Sequence, residues 1–218
     1  MPAATLKPTS AAAVPSALTS KPEDGRALRS AGTRRAVAEA YLDLLEAGEI
    51  RPTARAIAAQ ARVSERAVFR HFQDMETLHQ EAANLQIERV TRDLPEPAPT
   101  TGPALERSTR LSHRWCTIHE RVTPVRRAAL LQEPFSPEIA RRLRWTRKVE
   151  RLEIEQTFAV ELAPVQPEEK KRVVASLCAA MSWETWNQLR HRHDLGMEDA
   201  EKTVASMLHS LLPTRPKR

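Results

Sequence analysis

The chain has 218 residues, with 34 Lys and Arg against 28 Asp and Glu, a net charge of +6 and only 5 glycines. That length suits one small and one medium domain with a real core, and a composition led by Ala, Leu, Arg and Glu favours helices over sheets. Two cysteines, Cys116 and Cys178, exclude a disulfide scaffold; with no run near the ~18 apolar residues of a membrane span and no signal-peptide core at the start, a soluble cytoplasmic protein is expected.

Residues 1–30 are rich in Ala, Pro, Ser and Thr, with almost no large apolar side chain. Such a segment cannot offset its ordering entropy and is expected to be a disordered tail, although Lys21, Arg26 and Arg29 would also suit an arm for a minor groove. From Thr33, Val37, Ala40, Tyr41, Leu44 and Leu45 fit a helical stripe, and Gly48 stands where a glycine stop belongs. Pro52 to Phe72 then reads as two short helices joined by a tight turn. Thr53 caps the first, with Ile57, Ala58 and Ala61 on its inner face. Ser64 caps the second, where Val63 can staple onto Val68, and Val68 with Phe72 continue the apolar underside. Glu65, Arg66, Phe69 and Arg70 fall on the opposite face. Between Arg51 and Arg70 five arginines oppose Glu65 alone, whereas Thr33 to Asp93 as a whole carries 9 basic and 10 acidic residues. Positive charge is therefore focused on the one face that would meet phosphate, as in a helix-turn-helix that lays its second helix in a major groove.

The motif formed by Thr53, Ile57-Ala58, Ala61, Val63-Ser64, Phe69, His71-Phe72 and Leu78 resembles the TetR family of bacterial transcriptional regulators. With the preceding helix it covers about a quarter of the chain. The resemblance implies an all-α protein: a three-helix, homeodomain-like DNA-binding domain at residues 31–76, and a larger helical domain at 77–213 that binds a small effector and dimerises, with a short tail at 214–218. Three residues depart from the family pattern. Arg62 replaces the glycine usual in the turn, at a cost of order 1 kcal/mol if the backbone is left-handed there. Phe69 replaces a Tyr that would offer phosphate a hydroxyl, and Met75 stands where a phosphate-binding Lys is common.

Asp74 should cap a fourth helix reaching about Asp93. Leu78, Ala82 and Leu85 form one stripe on it, and Ala83, Ile87, Val90 and Leu94 form another on nearly the opposite side. That pattern predicts a connecting helix, packed on the DNA-binding domain by its first half and on something else by its second. Leu94 to Ala104 is a proline-rich linker. Beyond it, Leu111, Trp115, Ile118 and Val122 make a core stripe, Pro124 is expected to start a short helix, and Ser136-Pro137 to open a long one that ends at Pro164. Ile139, Leu143, Val149, Leu152 and Phe158 are its apolar residues, and its arginines, interleaved with Glu150, Glu153 and Glu155, read as a solvated face. Pro167 should open one helix reaching about His193, apolar on most sides and hence buried on most sides. A closing helix after Gly196 carries Ala200, Val204, Met207, Leu208 and Leu211. SWETW followed by this amphipathic helix is similar to the end of many members of the same family, which implies a homodimer through the last two helices.

No glycine-rich phosphate loop, HExxH or nucleophile elbow occurs, so neither an enzyme nor a cofactor is expected. His113, Cys116 and His119 spread over ~120° of a helix, too wide to converge easily on a metal, although Cys116 and His119 with Cys178 would be a possible set. The expected outcome is no metal, with both cysteines as small buried residues. A regulator responsive to metal or thiol chemistry, and a protein–protein adaptor that keeps the fold without DNA, are the alternatives to a ligand-released repressor. Residues expected to contact double-stranded DNA at a pseudo-palindromic operator are Thr53, Arg55, Ser64, Glu65, Arg66, Ala67, Phe69, Arg70 and His71. Arg66 suits guanine and Glu65 a cytosine amino group, Thr53, Ser64, Arg70 and His71 suit phosphates, and Arg55 enters by its match to the family position. An effector pocket is expected among Trp115, Cys116, His119, Cys178, Met181 and Trp183, since an apolar cavity with few polar groups is what such sites are.

Overall fold

The structure, a computed structural model, describes residues 25–213. Lys21 and most of the expected tail lie outside them, as do residues 214–218. Among the described residues every regular element is helical. The α-helices are α1 (Gly25–Glu46), α2 (Ala54–Gln60), α3 (Glu65–His71), α4 (Met75–Thr91), α5 (Ala104–Gln132), α6 (Pro137–Thr157), α7 (Ala159–Leu162), α8 (Pro167–Met181), α9 (Trp183–His191) and α10 (Met197–Leu211). Residues 25–30, expected in the tail, are the first turns of α1. Gly48 closes α1 at φ 94°, with Gly48 N donating to Leu45 O and Glu49 N to Leu44 O, the paired bonds of a left-handed helix stop.

Two cores account for the packing. In the first, Val37, Tyr41 and Leu42 of α1 meet Ile57 of α2, Val68 and Phe72 from α3, and Leu78, Ala82 and Leu85 of α4. The first stripe of α4 therefore does pack on the small amino-terminal domain, and Ala128 of α5 joins the same core. In the second, Leu111 and Trp115 of α5, Ile154 and Phe158 at the end of α6, Leu177 and Met181 of α8, Trp186 of α9 and Val204 and Leu208 of α10 come together.

Four helix boundaries and faces differ from the sequence reading. Pro124 does not begin a helix but lies inside α5. It lacks the N–H that would reach the carbonyl of Glu120, yet both residues are exposed, so water can take the orphaned oxygen. The long helix from Pro137 stops at Thr157, and a separate turn, α7, follows Phe158. Of the apolar residues read on these helices, Val149 and Leu152 of α6 and Leu211 of α10 are exposed. The expected Pro167–His193 helix breaks at Ser182, whose Oγ donates to Ala179 O at 2.9 Å and accepts from Thr185 N at 3.3 Å. The break frees the carbonyl of Met181, and His119 Nε2 donates to it at 2.8 Å.

Candidate nucleic-acid interface

The DNA-facing candidate is built from α2, its turn and α3. Thr53 Oγ1 accepts from Ala56 N and Ser64 Oγ from Ala67 N, each at 3.2 Å, so both expected caps are made. Between them, Arg62 N donates to Ala59 O at 3.2 Å and Val63 N to Ala58 O at 2.9 Å. This is the same closure as at Gly48, but with Arg62 held at φ 56°. Val63 packs on the first core beside Val68 and Phe72. The underside of α3 is fixed in this way, and its outer face follows from the helical period.

On that face Glu65, Arg66, Phe69 and Arg70 are exposed, as are Thr53, Arg55 and Arg62 on the neighbouring segments, and Ser64 at the cap. Among the described residues no carboxylate lies within ion-pair distance of Arg55, Arg62, Arg66 or Arg70. Elsewhere arginines are matched to acids: Arg35 with Glu39 and Glu88, Arg89 with Asp43 and Glu46, Arg107 with Glu161. Unpaired guanidinium groups therefore surround an exposed, braced helix. Ala67 leaves the expected set, because it is 8% exposed and lies on the inner face. His71 is half-buried, and burial, with Arg70 and Arg34 adding to it, holds its imidazole below the usual range.

Arg34 was not singled out in the sequence. Its Nη1 donates to His71 O at 2.7 Å, its guanidinium lies 4.4 Å from the centre of the Phe72 ring, and it pairs with Glu81 of α4 at 3.2 Å. It thus ties the end of α3 to α1 and α4. Only the distance between an arginine and a carbonyl 37 positions away reveals this.

Residues 44–82 match the family model described as bacterial regulatory proteins, tetR family. Over that stretch, which runs from the end of α1 through α2 and α3 into α4, the chain is similar to the TetR family. Two solved structures have the same fold. A transcriptional regulator from Rhodococcus sp. Rha1 superposes with a TM-score of 0.63 at 18% identity, over 82% of this chain and 95% of its own. A putative TetR-family transcriptional regulator from Rhodococcus sp. gives 0.63 at 16% identity, over 83% of this chain and 98% of its own. No curated protein matches the sequence. No described helix is long and apolar enough to cross a membrane.

A second site lies where the two cores meet. A cavity of about 270 Å³ is walled by α1, α4, α5 and α6, close to the ~300 Å³ at which small-molecule pockets begin. Ala83, Ile87, Val90 and Leu94, the second stripe of α4, line it, facing Trp115, Ile118 and Val122 of α5, while Tyr41, Leu42 and Leu45 of α1 close it from the DNA-binding side. Of the residues expected in an effector pocket, Trp115 and His119 reach this wall. Cys116, Met181 and Trp183 are packed in the second core instead, and Cys178 is half-buried against it.

His119 is a fully packed residue whose burial lowers its imidazole to about 4, the bond to Met181 opposing the effect. Burial raises the thiols of Cys116 to about 12 and Cys178 to about 11. Because the thiolate is the reactive and metal-binding form, these groups are ill suited to sensing. Among the described residues no group of three His, Cys, Asp or Glu is placed to hold a metal.

Proposed function

We propose that the protein is a cytoplasmic, homodimeric repressor whose α3 reads base edges and which a small molecule in the α1–α4–α5–α6 cavity releases from its operator. The observation that carries the reading is the set of unpaired arginines, Arg55, Arg62, Arg66 and Arg70, around the exposed face of a helix anchored from beneath. Arg66 and Glu65 take the base edges, and Thr53, Ser64, Arg70 and His71 hold phosphates that set the register. Two copies joined through α8–α9 and α10 place their α3 helices about one DNA turn, ~34 Å, apart on a pseudo-palindrome.

Effector control follows from α4. Its Leu78, Ala82 and Leu85 belong to the DNA-binding core while Ile87 and Val90 line the cavity, so a ligand that reshapes the cavity biases the spacing of the two heads. Such control needs a ligand with different affinity for the two arrangements.

The test is selection of bound fragments from genomic DNA, then gel-shift titration of the best fragment across salt. Binding should weaken with a log–log slope of about −0.9 per phosphate neutralised, and sedimentation should give about twice the 24.6 kDa of one chain. A clean monomer removes the two-head geometry. Phe69, 58% exposed, and Met75, 37% exposed, favour a second reading, a protein-binding adaptor. Failure to retard any selected fragment at low salt would turn the assignment to that adaptor.

A further inference from the structure

The wall of the cavity carries three guanidinium groups and two carboxylates, and they do not cancel. Glu153 is taken by Arg114, 3.2 Å away, and by Trp115 Nε1, which donates at 3.0 Å. Glu138 is taken by Arg142 at 3.2 Å and by Arg141. Arg126 is left over. Its Nε is buried with no hydrogen-bond partner, and no described carboxylate comes within ion-pair distance. The Trp183 ring, 6.0 Å from its guanidinium carbon, is its nearest aromatic neighbour. Glu184, Glu150 and Glu133 are close enough to feel its charge. Burial raises the Glu150 carboxyl to about 8, with the charge of Arg126 opposing the shift. Arg126 is half-buried, so its guanidinium is only partly hydrated and gains from a partner, and it adjoins a cavity otherwise lined by Ile87, Val90, Ile118 and Val122.

We propose that the effector is an amphipathic organic anion, its carboxylate or sulfonate head paired with Arg126 and its apolar body between α4, α5 and α6. Two further polar atoms at the wall refine the class. Gln86 Oε1 has no partner. His79 is 8% exposed, its Nδ1 lies 3.3 Å from Ser136 Oγ, and its Nε2 is unpartnered. Ser136 Oγ gives its own proton to Glu76, at 2.9 Å, so the proton between His79 and Ser136 belongs to Nδ1, and Nε2 of the neutral ring is an acceptor. The cavity therefore offers one cationic donor and, on the side nearer α1, acceptors for a hydroxyl or amide on the ligand body.

This assignment rests on reading the cavity as the effector site, and the test separates the two. Anilinonaphthalene sulfonate and phenylnaphthylamine share an aromatic body and differ by the anionic group. Fluorescence titration of the intact protein should show the sulfonate binding about tenfold tighter, the worth of a charge-assisted hydrogen bond. Arg126→Met should bring the two dyes within about threefold of each other, while Arg127→Met, at an exposed neighbour, keeps the preference. Ala83→Phe, which fills the cavity, should remove both dyes. Octanoate should displace either dye better than octanol does. Equal binding of the two dyes by the wild-type protein overturns the anion assignment and needs no variant to do so, as does a preference that survives in a folded Arg126→Met protein. Absence of binding by either dye, or binding undiminished in Ala83→Phe, overturns the cavity reading and the assignment with it.

Discussion

Arg62 shows how one position serves two ends. Its φ of 56° costs a non-glycine residue of order 1 kcal/mol, and in return the turn carries a guanidinium beside α3. The next charge along the face, Arg66, is the one proposed to read a base edge. Arg66→Ala is expected to cost ~1–3 kcal/mol on the preferred operator and to relax preference at one base position, read by titrating a set of single-base operator variants. A loss shared equally by all of them would make Arg66 a phosphate contact. His119 belongs to stability instead. Unfolded, its imidazole takes a proton near pH 6.5, but folded, not until about pH 4. The unfolded chain therefore binds the extra proton first, and stability falls as pH drops between those values. The stability of the wild-type protein relative to His119→Leu should shrink by on the order of 3 kcal/mol from pH 7 to pH 4, measured by urea unfolding. Glu150 titrates with the opposite sign and cancels in that difference. A constant difference would mean that His119 is solvated in the folded chain.

Local chemistry made α2 and α3 readable, because each cap bonds a backbone group only three residues away: Thr53 to Ala56 and Ser64 to Ala67. The two faces of α4 were readable for a similar reason, since helical period alone assigns Leu85 and Ile87 to different sides. What failed was set by distant partners. Pro124 looks like a boundary until the solvent-facing side of α5 is known. Ser182 looks like the middle of a helix until the carbonyl of Met181 is seen to meet His119, 62 positions earlier. The wall of the cavity was half legible: the α4 stripe announced an unknown partner, but not that α6 with Arg142 and Glu153 would supply it. The cap at Ser64 gives the element-scale prediction. A seven-residue helix cannot hold itself in water, so Ser64→Ala should lower stability by about 1 kcal/mol. It should weaken operator binding beyond what loss of one phosphate contact explains. Operator affinity and thermal unfolding together check this; stability lost with affinity intact would show that α3 is held by Val68 and Phe72 alone.

At the scale of the molecule the decisive feature is that the cavity belongs to both cores. Leu42, Leu45 and Ala82 line it and also pack the DNA-binding domain, while Trp115 lines it and packs the second core. Close-packed interiors pass on displacement instead of absorbing it, so a ligand larger than the free space would have to move α1, α4 or α6. α4 is tied to α1 at two places: Arg89 pairs with Asp43 and Glu46, and Glu81 with Arg34, which also holds the end of α3. On the proposed mechanism, a push on Ile87 reaches α3 through these contacts. Ala83→Phe imitates such a push without any ligand. It is expected to weaken binding to the selected operator by about tenfold, within the 5- to 150-fold usual for coupled sites, while affinity for random DNA and its salt slope stay unchanged, since the arginines of the face are untouched. Gel-shift titration of the two DNAs in parallel reads both quantities. Equal weakening on operator and random DNA would point to damage in α3 itself. Operator affinity unchanged in a protein that no longer takes dye would mean that the cavity and the reading helix are not coupled.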